Sequence, residues 1–110
     1  FPHPKRIFIM GFLQGKKIRE MVGTLLRPTD SIIFTEAPTP RSASLEMIRE
    51  LTKGLPEKCE RVLWIKNPIH ALNQARKFAT PKEVLCITGS LYLVGKLREK
   101  IVPLNVRSGR

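Results

Sequence analysis

Four short apolar segments punctuate this chain, and each is followed by a turn and a stretch whose apolar residues have helical spacing. Apolar runs of this length are typical of strands that are buried on both faces of a sheet. A strand followed by a helix, repeated along the chain, predicts a parallel sheet, because parallel neighbours need a long crossover. The predicted strands are Arg6–Met10, Ser31–Thr35, Arg61–Lys66 and Val84–Thr88.

Helix start and stop signals separate these strands. Asn67 followed by Pro68 is a good helix start, Ser90 can cap a helix, and Pro28 and Gly54 each end one. The sequence therefore predicts an α/β domain of three layers, Rossmann-like, with a mainly parallel four-stranded sheet and helices on both faces. The inward helix residues are expected to be Ile18, Met21, Val22, Leu25 and Leu26; Leu45, Ile48 and Leu51; Leu72, Ala75 and Phe78; and Leu91, Leu93, Val94 and Leu97.

Length and composition narrow the class of protein. The 110 residues suffice for one domain with its own core, and 42% of them are hydrophobic, which favours a globular fold. No apolar run approaches the roughly 20 residues that span a bilayer, and no signal-peptide pattern opens the chain, so we expect a cytoplasmic protein.

Cys59 and Cys86 do not form a disulfide framework. We expect an extended lead-in over residues 1–4 and a basic tail that frays from Val102 to Arg110.

The charge balance is unusual, with 20 Lys and Arg residues against 9 Asp and Glu, a formal net charge of +11. Such an excess predicts attraction to polyanions, which could be nucleic acid, nucleotide phosphates or a carboxylate-rich substrate. No Cys, His, Asp or Glu grouping has metal-ligand spacing, so we expect neither a metal site nor a self-contained acid–base site.

Two glycine turns follow predicted strands and could bind an anion. The first, Gly11–Lys17, has the spacing GxxxGK and a lysine where a P-loop needs Ser or Thr, so it is not a Walker A motif. The second, Thr88–Ser90, opens a helix whose first backbone N–H groups favour a phosphate or carboxylate. If the fourth strand lies beside the first, both turns flank the switch point where α/β sheets bind ligands. The backbone candidates for this anion site are Gly11, Gly15 and Gly89.

Three side chains could serve the same anion site, and an ordinary structural or surface role competes with this function. Lys16 can supply a flexible charge, although lysines in a first helical turn are usually solvated. Arg41 precedes a predicted helix N-terminus, where a cation is misplaced unless it has an anionic partner. Ser90 can offer its hydroxyl to a ligand or cap its own helix, and Gly89 can simply be a turn glycine. The residues alone leave these alternatives open.

One block near the end of the chain resembles a known enzyme family. The segment Ile87-Thr-Gly-Ser-Leu-Tyr-Leu-Val-Gly95 is similar to the signature near the end of folylpolyglutamate synthases and dihydrofolate synthases, relatives of the Mur peptidoglycan ligases. The resemblance covers roughly Arg6 to Arg98. Its other segments are Ile9-Met-Gly-Phe-Leu13 with Lys16, Ile33-Phe-Thr35 with Pro40-Arg41-Ser42, and Asn67-Pro68 with Ala71, Leu72 and Ala75.

The resemblance implies a C-terminal domain of an ATP-dependent amide ligase of folate metabolism. Such an enzyme forms an acyl phosphate on a folate or pteroate carboxylate, and the amine of L-glutamate then attacks it. The C-terminal domain closes over the nucleotide and helps to hold the glutamate, so Lys16 and Ser90 become candidates for glutamate contacts, with Arg41 and Tyr92 as weaker ones. The family's sheet order implies 4-1-2-3 for this chain. No catalytic residue is expected in this domain.

The chain also departs from the family pattern. Gly15-Lys16-Lys17 replaces an Asp-Lys-Asp triplet, and the Asp-Gly-Ala-His-Asn segment that opens the family's C-terminal domain is absent. We therefore expect residues 1–110 to lack the first strand–helix unit of that domain, and the ATP and Mg²⁺ of the whole enzyme to be bound mainly by domains outside this chain. In the family, the strand of that unit pairs with the equivalent of Val84–Thr88. We expect that edge to be covered by a second copy or by a terminal segment.

The sequence leaves two other classes of function open. The net charge and the basic ending Arg107-Ser-Gly-Arg110 favour a nucleic-acid-binding α/β module, although few aromatic residues are available to stack on bases. A freestanding anion-binding domain without catalysis is the third class. Cations concentrated at the carboxyl ends of the strands would favour the ligase, and a broad basic stripe over the helices would favour nucleic acid.

Overall fold

A five-stranded parallel sheet lies between two layers of helices, in a computed structural model that describes residues 5–100 and the backbone of 106–108. The strand order is β3-β2-β1-β4-β5. The predicted lead-in over residues 1–4 lies outside the described residues. The strands are β1 (Arg6–Met10), β2 (Ser31–Phe34), β3 (Arg61–Trp64), β4 (Val84–Thr88) and β5 (Val106–Ser108).

The four predicted strands and their order are confirmed. β1 lies in the middle of the four and pairs in parallel with both β2 and β4, with Ile9 opposite Ile33 on one side and Ile87 on the other. The central strands bury side chains on both faces, which is why they appear in the sequence as continuous apolar runs. The helices are α1 (Ile18–Leu25), α2 (Leu45–Leu51), α3 (Pro68–Phe78) and α4 (Leu91–Arg98), with a 3₁₀ turn at Pro56–Lys58.

The helices divide between the two faces of the sheet. α1 and α2 pack on the side chains of Phe8, Met10 and Phe34, whereas α3 and α4 pack on those of Ile7 and Ile9. The chain moves outward from β1 through β2 to β3, then returns past β1 to β4. Because crossovers between parallel strands are right-handed, the returning helix α3 must lie on the opposite face from α1 and α2.

The outer edge of β4 is covered by the C-terminal segment. β5 runs parallel to β4, with residue 106 opposite Leu85 and residue 108 opposite Ile87. A terminal segment was one of the coverings that we expected. The prediction of a fraying tail is wrong for 106–108, because an apolar strand such as β4 has unpaired backbone groups on its edge that a further strand can satisfy. The rest of the predicted tail lies outside the described residues.

Two predicted inward residues face solvent instead. Leu51 at the end of α2 is 41% exposed, and Leu91 at the start of α4 is 66% exposed. Both lie at a helix terminus, where the apolar stripe has run past the sheet beneath it. Thr52 is buried in place of Leu51, and its hydroxyl donates a hydrogen bond to the Ile48 carbonyl at 2.7 Å. Within the described residues, no helix has the length and apolar character to traverse a bilayer.

Candidate functional site

The switch point of the sheet lies between β1 and β4. α1 follows β1 onto one face and α4 follows β4 onto the other, so the two connecting loops diverge at the carboxyl ends of the strands. A cleft of about 450 Å³ opens between them. Its lining residues are Leu13, Lys16 and Met21 from the β1 loop and α1, and Gly89, Ser90, Leu91 and Tyr92 from the β4 loop and α4. The switch point predicted between the two glycine turns is therefore present.

Close approach of the two loops explains their glycines. The Gly11 N–H faces the Thr88 carbonyl at 3.4 Å, and Gly89 has a φ of +106°. A Cβ on Gly89 would lie 2.5 Å from the Gly11 oxygen and 3.0 Å from the Phe12 ring. Gly89 lines the cleft, whereas Gly11 lies beneath it and Gly15, with a φ of +82°, lies on the exposed turn before Lys16. Of the predicted backbone candidates, only Gly89 lines the cleft.

Ser90 acts as the N-cap of α4. Its Oγ accepts hydrogen bonds from the backbone N–H groups of Tyr92 at 3.1 Å and Leu93 at 3.4 Å. The structural alternative for Ser90 is thus realised, and two of the helix N–H groups that we predicted to be open are satisfied within the protein. The Ser90 hydroxyl donates to no acceptor within residues 5–100, so its hydrogen remains available to an anion in the cleft.

Two neighbouring lysines leave the β1 loop, and only Lys16 lines the cleft. Both Lys16 and Lys17 are exposed, and neither forms a salt bridge within residues 5–100. Lys17 immediately precedes α1 and makes no side-chain cap bond. The pair offers a natural comparison, since the two residues share loop, charge and exposure and differ in whether they line the cleft.

Arg41 lies in the β2 loop and does not line the cleft. Its carbonyl accepts a hydrogen bond from the Gln14 N–H at 2.9 Å, so its backbone lies against the β1 loop one residue before Gly15. Its side chain is exposed and forms no salt bridge among the described residues. The structure therefore places Arg41 next to the Lys16 loop but outside the group formed by Lys16, Ser90 and Tyr92.

Most of the cleft lining is apolar, which the sequence analysis did not predict. Leu91 is 66% exposed and Tyr92 50% exposed at the mouth of the cleft, and Leu13 and Met21 line the opposite wall. Met21 and Leu91 have the helical spacing of core residues, so the sequence predicted that both side chains face the core. Both lie in the first turn of a helix that begins at the switch point, so their place in the cleft lining follows only from the position of that switch point.

Comparison with known proteins identifies the family. Residues 2–100 match the model described as dihydrofolate synthetase, C-terminal domain. The chain belongs to this family. Two solved structures of Mycobacterium tuberculosis folylpolyglutamate synthase, one complexed with ADP and AMPPCP and one with ADP, share its fold with TM-scores of 0.78 and 0.76 at 20% identity. They cover 96% and 91% of this chain, which spans 25% and 24% of theirs. No curated protein sequence matches it.

The cleft of this chain does not fit a magnesium nucleotide by itself. Mg²⁺ is held through carboxylate and phosphate oxygens, and no acidic residue lines the cleft. In the part of the chain that the structure describes, no three His, Cys, Asp or Glu side chains form a group that could hold a metal ion. Lys16 and the Ser90 hydroxyl are donors, so the cleft suits a carboxylate or phosphate group.

Cations are spread over this domain and not concentrated at the carboxyl ends of the strands. α3 and α4 carry Arg76, Lys77, Lys96 and Arg98, all exposed, and no acidic residue. By contrast, α1 and α2 contain Arg19 and Arg49 together with Glu20, Glu46 and Glu50. The helix layer that contains α4 is therefore the basic one, and the net charge alone does not mark the cleft.

Proposed function

We propose that this chain is the glutamate-binding domain of an ATP-dependent ligase that adds L-glutamate to dihydropteroate or to a folate. In that reaction ATP transfers its terminal phosphoryl group to the acceptor carboxylate. The glutamate amine then attacks the acyl phosphate, a C–N bond forms and phosphate leaves. The role of this domain is to bind and orient the incoming glutamate.

One observation carries the proposal: Lys16 and Ser90, from different loops, line the same cleft in a chain of this family. An ammonium group and a hydroxyl can together bind a carboxylate through charge-assisted hydrogen bonds. The N-terminus of α4 adds its partial positive charge on the same side. The rest of the lining is largely apolar and includes Leu13 and Leu91.

The remaining parts of the reaction belong to the rest of the enzyme. The solved relatives bind ADP and AMPPCP in chains of which this domain spans about a quarter. The cleft lining lacks the carboxylates that a magnesium nucleotide needs, so phosphoryl transfer is assigned to the rest of the enzyme. We expect purified residues 1–110 to show no ATP-dependent ligation of glutamate to dihydropteroate or a reduced folate. Turnover above the uncatalysed rate would overturn that expectation.

An amide NMR titration of the labelled chain with L-glutamate tests the proposal. We expect saturable shifts confined to the cleft loops, at Leu13–Lys16 and Gly89–Tyr92. L-glutamine is the matched control, because it differs from glutamate mainly in the missing charge of its side-chain carboxylate, and it should bind more weakly. No saturable shift up to high millimolar L-glutamate, or shifts scattered over the surface, would contradict a glutamate site in this cleft.

The basic layer of α3 and α4 favours a second candidate function, binding of nucleic acid. Lys77 and Lys96 belong to helices without acidic residues, and phosphate contacts of such cations do not depend on base sequence. A short DNA duplex added at two salt concentrations separates the candidates in the same NMR experiment. Broad, strongly salt-dependent shifts on α3 and α4, without a response to glutamate, would favour nucleic acid.

A further inference from the structure

The loops that follow β1 and β2 are joined by hydrogen bonds across the carboxyl end of the sheet. Leu13 and Ser42 form an isolated antiparallel bridge. The Gln14 N–H donates to the Arg41 carbonyl at 2.9 Å, and the Ala43 N–H donates to the Phe12 carbonyl at 2.8 Å. The loop that carries Lys16 is therefore fixed to the β2 loop by a short ladder of backbone hydrogen bonds.

The Ser42 hydroxyl lies at the centre of this ladder. Its Oγ accepts a hydrogen bond from the Ala37 N–H at 2.9 Å. The same hydroxyl has carbonyl acceptors at 2.9 Å on Ala43 and at 3.4 Å on Phe12. Ser42 is half-buried, and Phe12 and Ala43 are fully buried beside it. Loss of the hydroxyl would leave the Ala37 N–H without its partner in a site largely closed to water.

This ladder continues into the wall of the cleft. Phe12, whose carbonyl meets the Ala43 N–H, has its ring against Gly89, within 3.1 Å of where a Cβ on that glycine would be. Ser90 follows directly in the chain. A shift of Phe12 would therefore move the Lys16 loop relative to Ser90, which are the two polar sides of the proposed glutamate site.

We propose that Ser42 is a positioning residue, whose hydroxyl fixes the Lys16 loop against the β2 loop so that Lys16 faces Ser90 across the cleft. The inference rests on the proposed function for the identity of the ligand, L-glutamate. Ser42 itself does not line the cleft, so any effect on binding passes through the residues that do.

Amide hydrogen exchange tests, without any ligand, whether the Ser42 hydroxyl holds the β1 and β2 loops together. In Ser42→Ala, we expect the Gln14 and Ala43 amides to exchange about fivefold faster, since a buried hydrogen bond typically contributes about 1 kcal/mol. Amides of β1 and β4 should keep their protection. Ser42→Thr, which retains the hydroxyl, should restore slow exchange. Unchanged exchange at Gln14 and Ala43, or an equal rise in the exchange rates of the strand amides, would overturn this role of the Ser42 hydroxyl.

A matched control separates Ser42 from the rest of its loop. Thr39 accepts a hydrogen bond from the Arg41 N–H at 3.4 Å, and this contact stays inside the β2 loop. Thr39→Ala should therefore leave exchange at Gln14 unchanged. If Ser42→Ala does not fold, Ser42→Cys repeats the comparison, because it keeps a similar shape but its thiol forms only weak hydrogen bonds.

A double-mutant cycle tests whether Ser42 acts through Lys16. We expect Ser42→Ala to raise the Kd for L-glutamate about three- to tenfold in the wild-type background, and to have no further effect in Lys16→Met. Equal effects in both backgrounds would overturn the positioning role. If wild type does not bind L-glutamate, the proposed function and the ligand part of this inference both fail. The exchange experiment still decides whether the Ser42 hydroxyl holds the two loops together.

Discussion

The two ends of the sheet use the same kinds of charged residue for opposite purposes. At the amino end, Arg6 and Asp30 form a bidentate pair with distances of 3.0 and 2.7 Å, and Asp30 is 1% exposed. Asp30 also accepts from the Arg27 N–H at 2.7 Å, and Arg6 donates to the Leu25 carbonyl at 2.8 Å. At the carboxyl end, Lys16, Lys17 and Arg41 have no ionic partner within residues 5–100.

This difference shows which charges stabilise the domain and which are available to a ligand. A buried pair such as Arg6–Asp30 satisfies its own hydrogen-bonding groups and leaves nothing to bind. The cations around the cleft contribute little to stability, since they are exposed and unpaired. Substitutions of charged residues at the two ends should therefore separate into those that change the free energy of unfolding and those that change ligand binding.

The largest change in the free energy of unfolding is expected at the amino end of the sheet. Asp30→Asn keeps the shape of the side chain but leaves Arg6 without its counter-charge, and should lower the free energy of unfolding by about 3 kcal/mol. Glu60→Gln, which breaks the exposed pair with Lys5, should cost at most about 1 kcal/mol. Urea unfolding of both variants gives the comparison. Equal losses would show that burial does not distinguish the two pairs.

A smaller decrease in the free energy of unfolding is expected for a substitution where the two cleft loops meet. Gly89→Ala must relieve a contact with the Gly11 carbonyl at a positive φ, and should cost about 2 to 3 kcal/mol. Gly15→Ala also has a positive φ, of +82°, but nothing lies within 4 Å of its Cβ, so its cost should be about 1 kcal/mol. Thermal or urea unfolding measures both. A cost for Gly89→Ala no larger than for Gly15→Ala would contradict the close approach of the loops.

Two helix caps provide the next comparison. Ser44 and Ser90 each accept a hydrogen bond from their own helix, so Ser44→Ala and Ser90→Ala should each lower stability by about 1 kcal/mol. Only Ser90 lines the cleft, and only its substitution should weaken L-glutamate binding. The Kd values of the two variants, measured beside their stabilities, check this separation. Equal Kd values would assign Ser90 a capping role alone.

The smallest effect concerns a thiol at the amino end. Burial raises the pKa of Cys59, and the nearby charge of Asp30 raises it further. The thiol therefore stabilises the fold below its ordinary pKa, and this contribution is lost as the pH rises through the raised value in the folded state. We expect the stability of wild type to fall slightly more steeply than that of Cys59→Ala in this alkaline range. Parallel pH profiles would contradict the direction of the shift.

The sheet was predictable from the sequence because buried parallel strands leave a strong local signal. The apolar runs at Ile7–Met10 and Val84–Ile87, and the Asn67 cap, each indicate one structure regardless of their surroundings. β5 left no such signal, since residues 106–108 are short and mixed and become a strand only where the edge of β4 is open. Leu51 and Leu91 were misplaced because periodicity does not show where a helix extends beyond its sheet.

The candidate site was only partly predictable. Lys16, Ser90 and Tyr92 were expected from the switch point and from the family resemblance, and they line one cleft. Arg41 was expected beside them, but its distance from the cleft depends on how the β2 loop folds. The ladder at Ser42 and the apolar wall at Leu13 depend on contacts between loops far apart in sequence, and the spacing of residues within either loop carries no information about them.

The central claim is that one unpaired cation at the carboxyl end, Lys16, serves a specific anion site, and a comparison with the adjacent Lys17 tests it most directly. The measurement is the Kd for L-glutamate of wild type, Lys16→Met and Lys17→Met. We predict that Lys16→Met weakens binding at least about tenfold, as expected for a lost charge-assisted hydrogen bond. Lys17→Met should change the Kd by less than about twofold. Equal losses in the two variants would show that the loop attracts anions only through its net charge, and would contradict a glutamate site built around Lys16.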